Sequence, residues 1–317
     1  MINEIIHGDC LIESDKIESG SVDLILTDPP FGTMKGAGLD GWAKQKTDWD
    51  EAIKPQDIYS IANRILRKNG KMVLFSQEPY TTELIKDAIP NLPHCYRMVW
   101  EKDHFANSLI AKKAPVSFYE DVLVFSKTHD YEALHPLRAY ALKIKTYTNY
   151  SRREFCNRLG HGGAQHFLES NQESSQFALC TESTYNELIK VFGIDRMEGF
   201  KTYAELKLID GQFTSIFNLW EGKKYKSNIL KYKKDYNGYH PTQKPVLLLE
   251  DLIKTFSNEG NLVVDITIGS GSTAIACINT NRKYIGIEKE EKYVNIARER
   301  ISNHTQQQDI FSMIEGV

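Results

Sequence analysis

The tetrapeptide Asp28-Pro29-Pro30-Phe31 sets a carboxylate, two proline-flanked carbonyls and an aromatic ring side by side. It follows Val22-Asp23-Leu24-Ile25-Leu26-Thr27, an apolar run that predicts a buried strand. Two consecutive prolines stop sheet pairing, because they lack N–H donors and fix φ. The strand therefore delivers these groups at its carboxyl edge, where open α/β sheets bind ligands. Acceptors beside a flat ring suit a planar amine, and the amino group of a nucleobase is such an amine. The same residues also fit a plain strand-to-turn junction with a solvent-facing Asp28.

A second constellation lies near the other end. Val263-Val264-Asp265 reads as a strand, Gly269-Ser270-Gly271 as a tight turn, and Ser272 onward as a helix. Glycines let a backbone approach a ligand closely, and the helix N-terminus adds amide donors. The next strand ends in Gly286-Ile287-Glu288. An acidic residue there is placed to bind the two hydroxyls of a ribose. Neither G-x-G-x-x-G nor a G-x-x-x-x-G-K-[ST] loop is met, so the expected ligand is a nucleoside without a polyphosphate. The competing reading is a turn kept only for helix–sheet packing, with Glu288 a solvated cap. Between the two sites, His240-Pro241-Thr242-Gln243-Lys244-Pro245 places hydroxyl, amide and ammonium groups before a helix. That chemistry can hold a carboxylate, although an ordinary polar helix start explains it as well.

These groups need a scaffold. Glu4 to His7 is strand-like. After Asp28 comes a polar stretch from Gly32 to about Lys54, long enough to predict a functional or mobile loop. Ile58, Ile61, Ala62, Ile65 and Leu66 then share a helix face, ending at Asn69-Gly70. Lys71–Ser76, Tyr96–Trp100 and Asp121–Phe125 read as strands, with a short helix from Thr82 to Ile89. Alternating strands and helices predict a mostly parallel sheet covered on both faces. From about Thr128 to Tyr239 the alternation fades into a Tyr-, Lys-, Asn-, Gln- and Ser-rich stretch with weak apolar periodicity. We read it as an insertion, with helical pieces at 187–191 and 203–208. A helix starting at Pro245, the strands before Gly269 and at Tyr284–Glu288, and a helix over Tyr293–Ile301 complete the pattern.

Bulk composition is ordinary for a globular chain of 317 residues, with 41% hydrophobic and 26% charged residues. The net charge of −3 excludes a global polycation, so any nucleic-acid contact must be a local patch. The five cysteines are scattered without a CxxC pair, which predicts a reduced, cytoplasmic setting. The first residues lack the pattern of a signal peptide. No apolar run approaches the roughly 20 residues that span a bilayer.

Taken in order, Asp28-Pro29-Pro30-Phe31, His240 to Pro245 and Gly269-Ser270-Gly271 resemble the beta-class S-adenosylmethionine-dependent DNA amino-methyltransferases. The resemblance covers residues 1–127 and 240–317. It implies a Rossmann-like, doubly wound sheet in circularly permuted order: a catalytic half at 1–127, a target recognition region at 128–239 and a cofactor half at 240–317. It also implies that the third strand of the cofactor half comes from Glu4 to His7, followed by Asp9 against the cofactor adenine. Asp28 and the Pro29 carbonyl would accept from the target amino group beside Pro30, and Phe31 would stack on the base. S-adenosyl-L-methionine would be held by Asp9, Cys10, Asp28, Thr242, Lys244, Asp265, Thr267, Gly269, Ser270, Gly271 and Glu288. Lys244, with Thr242 nearby, would neighbour its carboxylate.

One departure matters. Where the family reads Asp-Pro-Phe, this chain has Asp265-Ile266-Thr267, which predicts the loss of an aromatic contact to the cofactor. Phe31 in place of the commoner Tyr keeps a stacking face.

The resemblance implies double-stranded DNA as partner, with a homodimer compatible, and no membrane. The target would be adenine N6, since family members with Asp at position 28 more often act on adenine and those with Ser on cytosine. Cytosine N4 and an inactive DNA-binding module are the alternatives. Basic residues supply a local patch: Lys223, Lys224, Lys226, Lys231, Lys233 and Lys234, interleaved with Tyr225 and Tyr232, and Arg152, Arg153 and Arg158. A solvated surface is the competing reading of such a run. Cys156, His161, His166 and Cys180 match no common zinc spacing, and no metal is expected.

Overall fold

The computed structural model describes residues 2–32, 51–106, 111–112, 115–129, 136–169, 177–211, 213–219, 222, 224–235 and 243–315. The chain divides into two units. The first comprises Met1–Leu66, Gly70–Lys127 and Ile216–Val317, and the second Arg67–Asn69 and Thr128–Ser215.

The first unit is built on a sheet of eight strands: β1 (Glu4–His7), β2 (Val22–Thr27), β3 (Leu66–Ser76), β4 (His94–Ala106), β5 (Ser117–Ser126), β6 (Ile229–Lys231), β7 (Leu262–Asp265) and β8 (Lys283–Glu288). Their order is β1-β8-β7-β2-β3-β5-β4-β6. The pairings from β1 through β3 are all parallel. Glu4 lies opposite Ile285 and His7 opposite Glu288, so the first strand of the chain pairs beside the last, as the resemblance implied. The order reverses between β7 and β2: from β7 the chain steps to β8, and from β2 it steps the opposite way to β3. A ligand crevice forms at such a switch point.

Helices cover both faces, as the alternation of the sequence predicts. Leu24 and Leu26 join one core with α8 (Val246–Phe256) and α9 (Ser272–Asn279), while Ile25 joins the other with α2 (Pro55–Ile65) and α3 (Tyr80–Lys86). Period-two alternation sends successive side chains to opposite faces, so a strand buried on both sides reads as one apolar run. Among the described residues this unit also holds α1 (Cys10–Glu13) and α10 (Glu291–Glu315).

Two details differ from the sequence reading. The helix ends at Ile65, and Leu66 to Gly70 already belong to β3 rather than to a helix end. The buried Lys127 ammonium donates to the carbonyls of Asn63 (2.7 Å) and Leu66 (2.6 Å), satisfying groups that a helix leaves open at its end. The strands β4 and β5 pair antiparallel, where the alternation predicted parallel neighbours.

The inserted region ends earlier than residue 239. Residues 216–235 go with the sheet unit, and Val99 to Glu101 of β4 pair with β6. Three residues of strand carry too little periodicity to be seen in sequence. The second unit contains α4 (Pro136–Thr148), α5 (Arg152–Leu159), α6 (Glu182–Phe192) and α7 (Tyr203–Gly211). Its own core includes Tyr140, Ile144, Phe155, Phe167, Tyr185 and Leu206. The weak periodicity arises because two core tyrosines bring hydroxyls inside, where Tyr140 and Tyr185 bond each other at 2.7 Å. Among the described residues no helix is long and apolar enough to cross a membrane.

Candidate active site

Asp28 leaves the carboxyl end of β2, and Asp265 ends the neighbouring β7. The two turns that follow are therefore side by side. Asp265 is 4% exposed and its carboxylate is fully engaged. Oδ1 accepts from Thr27 Oγ1 at 2.7 Å and from the Thr267 amide at 3.1 Å, and Oδ2 accepts from Thr273 Oγ1 at 2.5 Å. Burial raises its proton affinity, and these hydrogen bonds oppose that. Asp265 thus shapes the turn from within, rather than presenting a free oxygen to a ligand.

The turn itself has room for one. Gly269 has φ +54°, and a Cβ there would meet no atom within 4 Å. Gly271, at φ +85°, is a different case, since a Cβ would lie 3.1 Å from Ala297 Cβ. One glycine leaves open space beside the turn, and the other allows α10 to pack against it. Ser270 is buried between them. Glu288 reaches over from the end of β8: Oε2 accepts from the Gly269 amide at 2.9 Å and Oε1 from the Glu290 amide at 2.8 Å. Burial raises its pKa against those two bonds. Asp9 caps α1 through Leu11 at 3.0 Å and faces Lys289 at 3.4 Å, while Cys10 behind it is buried. An open glycine turn flanked by two carboxylates fits a nucleoside with a free ribose. Thr242 lies outside the described residues.

Lys244 lies between two carboxylates. It is 6% exposed, and its ammonium ion-pairs with Asp28 Oδ2 and sits 3.1 Å from Glu120 Oε2. Burial pushes its pKa down, but Asp28 and Glu120 more than reverse this, so it stays charged. Burial pushes Asp28 well above the usual carboxylate range, with Lys244 opposing and Glu120 reinforcing the rise. Asp28 Oδ1 is buried and has no hydrogen-bond partner among the described residues. A buried acceptor without a donor is costly unless a ligand satisfies it. Pro29 is buried and Pro30 half-buried beside it.

Phe31 is half-buried and rests against Tyr80, with ring centroids 6.2 Å apart. Tyr80 is fixed in turn by its hydroxyl, 2.6 Å from the Ile53 carbonyl. Sequence reasoning missed Tyr80, Glu120 and Lys102. The Asp121-Val122-Leu123 run signals a strand, but nothing in it says that Glu120 ends beside Lys244.

The basic run divides. Lys226 pairs with buried Asp251 at 2.6 Å, and Lys231 lies 3.2 Å from Glu101. The Lys234 amide donates to Asp103 at 3.2 Å, and burial lowers the pKa of its side chain. Lys224 and Lys233 are exposed, and Lys223 lies outside the described residues. In the second unit Arg152 pairs with Glu169, Arg158 lies 4.4 Å from the Tyr150 ring centroid, and Arg153 is exposed. Among the described residues no three His, Cys, Asp or Glu side chains form a metal-binding group. His161 instead pairs with Glu187 at 2.7 Å, and Cys180 is buried in the core.

A family profile for N6/N4 methyltransferases, described as DNA methylase, matches residues 22–299. DNA adenine methyltransferase YhdJ of Escherichia coli (strain K12) is 27% identical over 300 residues, covering 94% of this chain and 82% of that protein. Type II methyltransferase M2.LlaDCHI of Lactococcus lactis subsp. cremoris is 24% identical over 304 residues, covering 94% and 88%. The M1.HpyAVI–SAM complex shares the fold at TM-score 0.51 and 18% identity, over 94% of this chain and 98% of that one. The cytosine-N4-specific PvuII DNA methyltransferase does so at TM-score 0.51 and 16% identity, over 96% and 91%.

Proposed function

The chain belongs to the family of S-adenosylmethionine-dependent DNA amino-methyltransferases, and on that premise we propose that it methylates N6 of adenine in double-stranded DNA. One observation supports the catalytic assignment above others: the buried, unpartnered Asp28 Oδ1 at the switch point of the sheet. Adenine is favoured by Asp at position 28 and by the similarity to a DNA adenine methyltransferase.

A base inside a duplex cannot offer its amino group to the site and must be flipped out. Unstacking costs a few kcal/mol, and stacking on Phe31 offsets about 1–3 kcal/mol of it. Asp28 Oδ1 accepts one amino hydrogen and the Pro29 carbonyl the other. Both acceptors favour a tetrahedral nitrogen, whose lone pair is no longer shared with the ring. Fixed acceptors stabilise that charge distribution without reorganising. The nitrogen then sheds a proton, and Asp28, whose burial raises its proton affinity, accepts it. S-adenosylmethionine supplies an electrophilic methyl group on a sulfonium. Glu288, Asp9 and the open turn at Gly269 and Ser270 would hold it. Lys244 serves Asp28 rather than the cofactor carboxylate. The second unit, residues 128–215, reads the target sequence, and Lys224 and Lys233 with Arg153 contact phosphates.

Incubation of unmethylated bacterial DNA with the protein and S-adenosylmethionine, followed by mass spectrometry of the nucleosides, tests this reading. N6-methyladenine is expected. N4-methylcytosine alone would replace adenine by cytosine, and no methylated nucleoside would leave a DNA-binding module.

A further inference from the structure

Behind Asp28 stands a row of charges. The Lys244 ammonium contacts Asp28 Oδ2 and lies 3.1 Å from Glu120 Oε2, and Glu120 Oε1 lies 2.5 Å from Lys102 Nζ. Signs alternate along Asp28, Lys244, Glu120 and Lys102. The four come from separate places: the turn after β2, the segment before α8, β5 and β4. Side-chain exposure is 23% at Asp28 but 5%, 11% and 8% at the other three, so only Asp28 reaches the opening. Buried ion pairs stabilise less than well-packed apolar residues of the same volume. A row of four therefore points to a task other than holding the fold.

We infer that Glu120 is a positioning residue for methyl transfer: by sharing the Lys244 ammonium it keeps Asp28 Oδ2 engaged and leaves Asp28 Oδ1 to the target amino group. This rests on the role proposed above for Asp28. Glu120 has a second effect through space. Lys244 paired with Asp28 alone would draw proton affinity out of that carboxylate and weaken it as an acceptor. Glu120 divides the field of the ammonium. Lys102 neutralises Glu120 from behind, and Lys234 and Asp103 face that end of the row. Asp265 faces Asp28 from β7.

The test is a pair of variants that change the charge of the row in opposite directions, assayed with labelled S-adenosylmethionine on unmethylated genomic DNA. Glu120→Gln keeps the shape and removes a negative charge. We expect kcat to fall about tenfold, with both KM values nearly unchanged. The acid limb of kcat/KM should move down by about one pH unit, because Asp28 loses a like charge. Lys102→Gln removes a positive charge, and the limb should move up. A purely structural role lowers the melting temperature and leaves the limb in place in both variants. Folded Glu120→Gln with an unmoved limb, or two shifts of the same sign, overturns the inference. If Glu120→Gln does not fold, Lys102→Gln decides: an upward shift supports the inference and none overturns it. Asp28→Asn separates the two levels. Wild-type turnover in that variant would remove the acceptor role itself, whereas an inactive Asp28→Asn with an unmoved limb in Glu120→Gln would remove only Glu120.

Discussion

Thr267 donates its hydroxyl to the main-chain carbonyl of Asp28 across 3.1 Å. The same hydroxyl lies 2.7 Å from that of Thr27. The glycine turn after β7 is thereby tied to the turn after β2 that carries Asp28. The resemblance places a phenylalanine at this position, and its absence reads in sequence only as a lost contact. The structure adds a bond that a phenylalanine could not make. Thr267→Val keeps the shape and removes the link. We expect a loss of about 1 kcal/mol in stability and a fall in kcat larger than the loss of cofactor affinity. Denaturant unfolding and steady-state kinetics check this, and unchanged kcat would show the link to be structural only.

Asp28→Ala should abolish methyl transfer while cofactor affinity, measured by calorimetry, stays within a few fold. Turnover of a tenth of wild type or more would remove Asp28 from its role. In the wild type, burial pushes Asp28 up to about 6 against the pull of Lys244. Its acceptor form therefore fills as pH rises through that value, and activity should rise with it. For stability the sign is opposite. The folded state holds this proton more tightly than an unfolded chain with its ordinary value of 3.8, so the contribution is complete below 3.8 and is lost as pH rises through about 6. A pH–rate limb at the ordinary carboxylate value contradicts the assignment.

Glu288→Ala should weaken S-adenosylmethionine binding by about 1.5–3 kcal/mol, the range for a hydrogen bond to a charged group. Two contributions are combined, because Glu288 also holds the Gly269 amide at 2.9 Å. Glu288→Gln keeps an acceptor for that amide and loses the charge, so its deficit should be smaller. Equal affinity of wild type and Glu288→Ala in calorimetry removes Glu288 from the cofactor site.

The basic run should behave as two groups. Replacing Lys224 and Lys233 by Ala should weaken specific and non-specific duplex binding alike. The log–log salt slope should flatten by about 0.9 per lost phosphate contact. Lys226→Ala should instead lower the melting temperature, since it removes the ammonium 2.6 Å from buried Asp251. An unchanged salt slope in the double variant would mean a solvated face.

The turn at Gly269 and the motif at Asp28 were legible because each is a short run whose chemistry is local: prolines end a strand, glycines turn it, and an acidic residue closes the next strand. The parallel pairing of β1 with β8 was reached only through the permuted order that the resemblance implies. The boundary of the insertion was not legible, because β6 has three residues and its place depends on pairing with β4. The sequence shows the charges of Lys226 and Lys231 and hides Asp251 and Glu101 across from them.

By itself the sequence determined most strands and helices of the sheet unit, the two turns that follow β2 and β7, and the motifs shared with a family. Periodicity, turn residues and capping act over a few residues and are written there directly. Only the tertiary structure decided the partners of the charges. Lys244 and Asp28 are 216 residues apart, yet they touch, and Glu120 completes the row from a third element. Coulomb energy depends on distance in space and on burial, and neither exists until the sheet has set its strands in order.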